Sequence, residues 1–174
     1  MRIKSFLSLV FSFAIILLAV PVFASQPRAI IIEPADGVGI CRVGESYFRL
    51  KEKFKEPSST KQLNNGDIIA KYSKPGIIIQ YQGYTGEIHF VGIEKKMLGS
   101  SEYRTAEGLA VGMAKSKVES VFGNPDQLVD VTSKDVYPNS EKLAIYTKKG
   151  ISFQYDSSER ITVIIVFSPA VFGK

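Results

Sequence analysis

With 174 residues, 45% of them hydrophobic, and 22 basic against 17 acidic side chains, the chain can build a packed core but carries too little positive charge for a nucleic-acid surface. Its lysines fall in short runs, at 51, 53 and 55, at 95–96 and at 148–149, without the interleaved aromatic residues that stack on bases. One cysteine and one histidine exclude an intramolecular disulfide and a zinc site of protein ligands.

The N-terminus reads as a targeting segment. Arg2 and Lys4 precede an apolar stretch at 6–20, and Val22 and Ala24 stand at −3 and −1 of a cleavage site, so residues 1–24 are expected to be a secretory signal peptide cut after Ala24. The apolar run of about 15 residues is shorter than the roughly 20 that a spanning helix needs. Ser25 follows the cut and Cys41 lies far downstream, so no acylated first cysteine is expected. The mature chain would keep 150 residues with 20 basic and 17 acidic groups, periplasmic or secreted, without a stable membrane anchor.

Residues 25–37 form a lead-in whose β-branched run 29–33, ended by Pro34, predicts a short strand. Cys41 sits among Val38, Ile40 and Val43 and is expected to be a buried structural thiol. In 45–56, Tyr47, Leu50 and Phe54 recur at helical spacing opposite Arg49, Lys51, Glu52, Lys53 and Lys55, which predicts an amphipathic helix of three turns stopped before Pro57. A loop at 58–66 leads to strands at 68–72, 77–81 and 88–93. Lys74, Pro75 and Gly76 suit a type II turn between the first two, and a glycine-rich hairpin loop at 82–86 joins the last two.

Residues 95–107 read as a linker, after which the same order of elements returns. A helix is predicted at 115–122, with Val118, Val121 and Phe122 as its stripe and Gly123 as its C-terminal cap before Pro125. A polar connection at 126–141 precedes strands at 143–146, 151–155 and 161–166, and residues 169–174 form a tail.

Aligned at a shift of 68, Val43, Gly44, Phe54 and Pro57 match Val111, Gly112, Phe122 and Pro125. At a shift of 74, Tyr72, Gly76, Ile77, Gln80 and Tyr81 match Tyr146, Gly150, Ile151, Gln154 and Tyr155, and the third strands match at 73. The length changes fall in loops, where insertions are tolerated. The expectation is therefore two repeats, 38–94 and 108–168. The expected fold class is α+β, tandem helix-plus-three-strand repeats forming an antiparallel sheet with helices on one face. Ile77, Ile79 and Tyr81, like Ile151, Phe153 and Tyr155, should face the helices, and Gln80, Ser152 and Gln154 should face outward. The direction of His89 stays open, because both parities of its strand are mostly apolar.

The signature Gly-x-x-Val-Gly at 108–112, Phe-Gly-x-Pro at 122–125, Tyr-x-x-x-Gly-Ile-x-Phe at 146–153 and the apolar strand 161–166 resembles the SmpA/OmlA and β-lactamase-inhibitor-protein (BLIP-like) superfamily. The tandem arrangement over 38–168 is similar to the inhibitor proteins, whose two repeats build one curved sheet that grips an enzyme. Two features depart from the pattern: no lipobox for an SmpA-type anchor, and no cysteine pair for the inhibitors' disulfides.

Catalytic signatures are absent from the sequence. His89 has no Gly-x-Ser-x-Gly elbow or spaced cysteine to work with, and no spacing singles out a carboxylate pair among Asp126, Asp130, Asp135 and Asp156. No cofactor, metal or catalytic residue is expected. The expected function is a non-catalytic module that binds another extracytoplasmic protein, as an envelope assembly factor or an enzyme inhibitor. Tyr84, Lys71, Gln80, His89, Ser152 and Gln154 are the candidate contacts on the open sheet face and hairpin loops. The alternative is an envelope hydrolase or small-ligand carrier using a cleft between the repeats.

Overall fold

The structure, a computed structural model, describes residues 29–94, 102–132 and 134–171. The signal peptide, residues 25–28, most of the linker and the last residues of the tail lie outside the described residues. In chain order the elements are β1 (Ile30–Glu33), β2 (Gly37–Val38), β3 (Cys41–Arg42), α1 (Tyr47–Lys51), β4 (Ser59–Gln62), β5 (Asp67–Tyr72), β6 (Ile77–Gln82) and β7 (Ile88–Glu94). They continue with β8 (Tyr103–Thr105), α2 (Lys115–Phe122), β9 (Gln127–Asp130), β10 (Lys142–Tyr146), β11 (Ile151–Tyr155) and β12 (Ile161–Phe167).

These strands make two sheets. The smaller has the order β3-β2-β1-β8, with β1 parallel to β8. The larger is antiparallel in the order β4-β5-β6-β7-β12-β11-β10-β9, so β7 and β12 meet in its middle. Six of its eight strands are the ones that alternation and turn residues predict.

The expected α+β class of tandem helix-plus-three-strand repeats is overturned. Regular structure is mostly strand, and the two helices span five and eight residues. Three differences make up the error. Alpha1 ends at Lys51, short of the three turns that the spacing of Tyr47, Leu50 and Phe54 predicts, and Phe54 packs on Tyr72 from beyond the helix, 5.1 Å between ring centroids. Beta4 and β9 are edge strands whose residues are all exposed, so they carry no alternation to read. The β2, β3 and β8 pieces are two or three residues long, too short for a period to show; β8 falls in the stretch read as linker, and β2 and β3 in stretches for which no strand is predicted. The turn before Gly76 also differs from type II, because the Lys74–Pro75 bond is cis.

One main core lies between the large sheet and everything on its inner face. Ile79, Tyr81, Ile151, Phe153 and Tyr155 pack there with Tyr47 and Leu50 of α1, Val118 of α2, and Ile32, Val38, Cys41 and Tyr103 of the small sheet. The inward parity expected for β6 and β11 is the parity observed. Tyr47 stacks on Tyr81 at 3.8 Å between ring centroids and shares a 2.8 Å hydrogen bond with the Tyr72 hydroxyl. In the other half, Phe122 packs edge-on against Tyr146 at 5.5 Å, and Gly123 caps α2 at φ +77°. Cys41 is buried, and burial pushes its thiol up to about 12.

Candidate functional site

The outer face of the large sheet is not bare. The connection between β9 and β10 is closed at its base by the Val131 amide donating to Glu141 O at 2.9 Å, so the described residues 132 and 134–140 form an Ω-like strap. It crosses the outer face to the far half of the sheet. There Val136 joins Ile69 and Ile78 in a small apolar cluster, with Leu63 and Tyr137 packed on it. Lys71 Nζ donates to Val136 O at 3.0 Å and pairs with Glu94 at 3.1 Å, with its ammonium 5.6 Å from the Tyr137 ring centroid. Asp135 forms an ion pair with Lys61 of β4. On its return the strap is fixed by the buried Ser140 and Thr162 hydroxyls, 2.7 Å apart. The sequence shows this stretch as polar and Gly-free; its two apolar anchors, Val136 and Tyr137, are the signal available in advance.

Between strap and sheet lies a cavity of about 330 Å³, lined from the strap side by Val131, Thr132 and Tyr137. Its floor takes Gln80 and Phe90 from one half of the sheet and Leu143, Ser152, Gln154 and Ile165 from the other. Three of the six predicted contacts, Gln80, Ser152 and Gln154, therefore meet in one place. The expectation that this face is open is corrected for two of them, because Ser152 and Gln154 are buried under the strap. Gln80 donates its Nε2 to Asp67 at 2.8 Å. Gln154 is 3% exposed, and its Oε1 has no hydrogen-bond partner among the described residues. A buried carbonyl without a donor costs about 1–3 kcal/mol.

The remaining candidates are scattered. Lys71 is occupied by the strap and Glu94, as above. His89 Nδ1 lies 3.3 Å from Asp67 Oδ2, which settles its direction, and His89 shares a shallow cleft with Ser168. Tyr84 stands at the tip of the β6–β7 hairpin and is 95% exposed, so it does not pack over its own loop. That loop is held by one side chain: Gln82 Oε1 accepts from the Tyr84 amide at 2.7 Å, the Thr85 amide at 2.6 Å and the Thr85 hydroxyl at 3.2 Å. The neighbouring Phe48 ring of α1, half exposed, lies over Gly86, where an added Cβ would come within 2.6 Å of it. Phe48 was not anticipated, since it falls off the apolar stripe of its helix. Among the described residues no cluster of three or more His, Cys, Asp or Glu side chains is placed to hold a metal ion.

A scan against protein-family models and a search of curated proteins give no match. Solved structures do match. A DUF4309 family protein from Bacillus subtilis superposes with a TM-score of 0.54 at 11% identity, over 77% of this chain and 88% of that one. At this identity the likeness shows a shared fold alone. A cysteine-rich secretory protein from Staphylococcus aureus (TM-score 0.48, 16% identity, 83% of this chain) and an extracellular protein containing an SCP domain from Bacillus anthracis (0.47, 8%, 75%) also match. The chain spans about half the length of these last two, 49% and 45%. Both names place those two proteins outside the cell. None of the three names the SmpA/OmlA or BLIP-like superfamily.

Proposed function

We propose that this chain is a secreted or periplasmic, non-catalytic module that binds another protein through the β6–β7 hairpin tip. The observation that carries the reading is Tyr84, 95% exposed on a loop whose backbone is already fixed by Gln82. An aromatic side chain held out on a pre-organised loop loses little entropy on docking, and tyrosine is a frequent interface anchor. Half-exposed Phe48 beside Gly86 extends the apolar contact at the same end. The signal-like N-terminus and the resemblance to the SmpA/OmlA and BLIP-like superfamily agree with an envelope assembly factor or enzyme inhibitor.

The test is a photo-crosslinking residue at position 84 in the expressing cell, with the same residue at Ser158, on the β11–β12 turn, as control. A single discrete adduct at 84, absent at 158 and lost on Phe48→Ala in a chain of unchanged Tm, is expected. Equal adducts at both positions, or none, would overturn the reading.

A second reading, hydrolysis, has one observation in its favour: His89 is paired with Asp67 and lines the same cleft as Ser168. Turnover of p-nitrophenyl acetate that disappears in Ser168→Ala would replace binding by catalysis. The expected result is no turnover above the rate of the S168A chain.

A further inference from the structure

We propose that β9, the strand at one edge of the large sheet, pairs edge to edge with β9 of a second copy of this chain, antiparallel about a two-fold axis at Val129. This surface is separate from the hairpin tip and stands or falls without it.

The two edges of the large sheet are built differently. Beta4 presents only polar side chains, Ser59, Thr60, Lys61 and Gln62, and Lys61 is tied to Asp135 of the strap. Polar residues and a lysine are common guards of a free edge. Beta9 instead shows Leu128, 48% exposed, and Val129, 42% exposed. Its one charge, Asp130, is drawn back to Lys142 of β10 at 2.6 Å. An apolar edge with open backbone groups is a template for another strand.

The ladder sets which backbone groups are open. Val129 lies opposite Leu143, and in the same register the Val131 amide donates to Glu141 O at 2.9 Å. The bonding side of an antiparallel ladder alternates, so Gln127, Val129 and Val131 turn their N–H and C=O groups to β10. Leu128 and Asp130 turn theirs away. The side chains alternate as well: Leu128 sits opposite Ala144 of the main core, on the inner face, and Val129 lines the outer cavity.

Register and charge select a second copy as the occupant. A two-fold perpendicular to the sheet keeps like faces together only where a residue meets its own copy, here Leu128 or Val129. An axis at Leu128 would set Asp126 against Asp130 of the second copy, like charge against like. It would also leave the Asp130 amide short of a regular partner, because the Asp126 amide already turns inward to Ile145 O at 2.9 Å. An axis at Val129 removes both conflicts. Leu128 of each copy then exchanges both backbone bonds with Asp130 of the other, and Val129 meets Val129 in the close, non-hydrogen-bonded pair. A contact between two strands of four residues buries less than the roughly 1,200 Å² of a standard interface, so the dimer is expected to be weak, with Kd on the order of 50 µM.

The experiment is sedimentation of the purified chain from about 5 to about 500 µM, over which a concentration-dependent dimer is expected. Val129→Lys sets two ammonium groups across the axis and is expected to weaken the dimer by more than about tenfold, with Tm unchanged because the side chain is exposed. A disulfide reads the register. Under copper–phenanthroline oxidation Val129→Cys, with Cα atoms about 4.5 Å apart in the close pair, is expected to cross-link at least about tenfold faster than Leu128→Cys, whose copies lie beyond the roughly 7 Å limit. The native chain, with Cys41 buried, is the unreactive control. Tyr84→Ala is expected to leave association unchanged. A monomer at every concentration, a dimer unaffected by Val129→Lys, equal cross-linking at 128 and 129, or a dimer lost in Tyr84→Ala would overturn the proposal.

Discussion

Gln80 and Gln154 stand at the same step of the two halves of the large sheet, each opposite the central strand pair and each one residue before a bulge. Their surroundings differ. Gln80 gives its amide nitrogen to Asp67, which is 4% exposed and also meets His89. The residue that corresponds to Asp67 at the shift of 74 is Glu141, and it turns away to pair with Lys134 of the strap at 3.2 Å. Gln154 Oε1 is left without a hydrogen-bond partner among the described residues. One half thus spends its outward polar groups on one another, while the other buries them under a loop and leaves a cavity. The lesson is that a matched strand pattern fixes where a side chain sits on a sheet, and the loop that crosses it fixes what the side chain can do.

The sharpest way to break this comparison lies at two glycines, Gly76 and Gly150, with φ of +91° and +64°. A Cβ on Gly150 would come within 2.5 Å of Phe167 O and 2.6 Å of Ala35 Cα, so backbone must move. Gly150→Ala is expected to destabilise by more than about 3 kcal/mol, and Gly76→Ala by about 1–2 kcal/mol for its left-handed backbone. Urea unfolding of the two variants checks the difference, and equal losses would mean the halves pack alike at this point.

A smaller effect should separate the glutamines themselves. Gln80→Leu strips a donor from a buried carboxylate and is expected to cost about 1–3 kcal/mol, whereas Gln154→Leu replaces an unpartnered carbonyl and is expected to be neutral or slightly stabilising. Matching losses by chemical denaturation would show that Gln154 is as well satisfied as Gln80.

The smallest effect concerns alkaline pH and compares the small sheet with the large one. Burial holds the Cys41 thiol and the Tyr103 phenol of the small sheet, and Tyr146 of the large one, each up to about 12. Each group is an acid whose folded pKa lies above its unfolded value, so the unfolded chain releases its proton first. Stability is therefore full below about pH 9 and falls as pH rises toward about 12, by about 1.4 kcal/mol per pH unit for each group in its window. Cys41→Ala removes the earliest of these losses, because an unfolded thiol titrates before a phenol. Melting curves from pH 8 to 11 should show a shallower decline for the variant, and parallel curves would place the thiol in contact with water.

Much of the sheet was legible from local pattern. The strands read at 68–72, 77–81 and 151–155 from alternation and at 161–166 from its apolar run, with Gly76, Gly123 and Gly150 as punctuation, reflect forces within a few residues: pleat geometry and left-handed turns. The inward parity of Ile79, Tyr81, Phe153 and Tyr155 followed from the same rule. The class did not, because a helix was read through Lys51, Lys53 and Lys55, and because the exposed edge strands Ser59–Gln62 and Gln127–Asp130 have no pattern to show. Of the candidate site, the residue names were partly within reach and the assembly was not.

The sequence by itself determined which residues of β6 and β11 face the main core, that the chain turns at Gly76 and Gly150, that Cys41 is alone and that one histidine must serve any imidazole role. Only the tertiary structure decided that residues 134–140 lie across the outer face, that His89 meets Asp67, and that Gln154 Oε1 is buried without a donor among the described residues. The physical reason is range. Pleat, turn and cap are set by neighbours in the chain, whereas Lys71 to Val136 and Lys61 to Asp135 are contacts across more than sixty residues that no local period encodes.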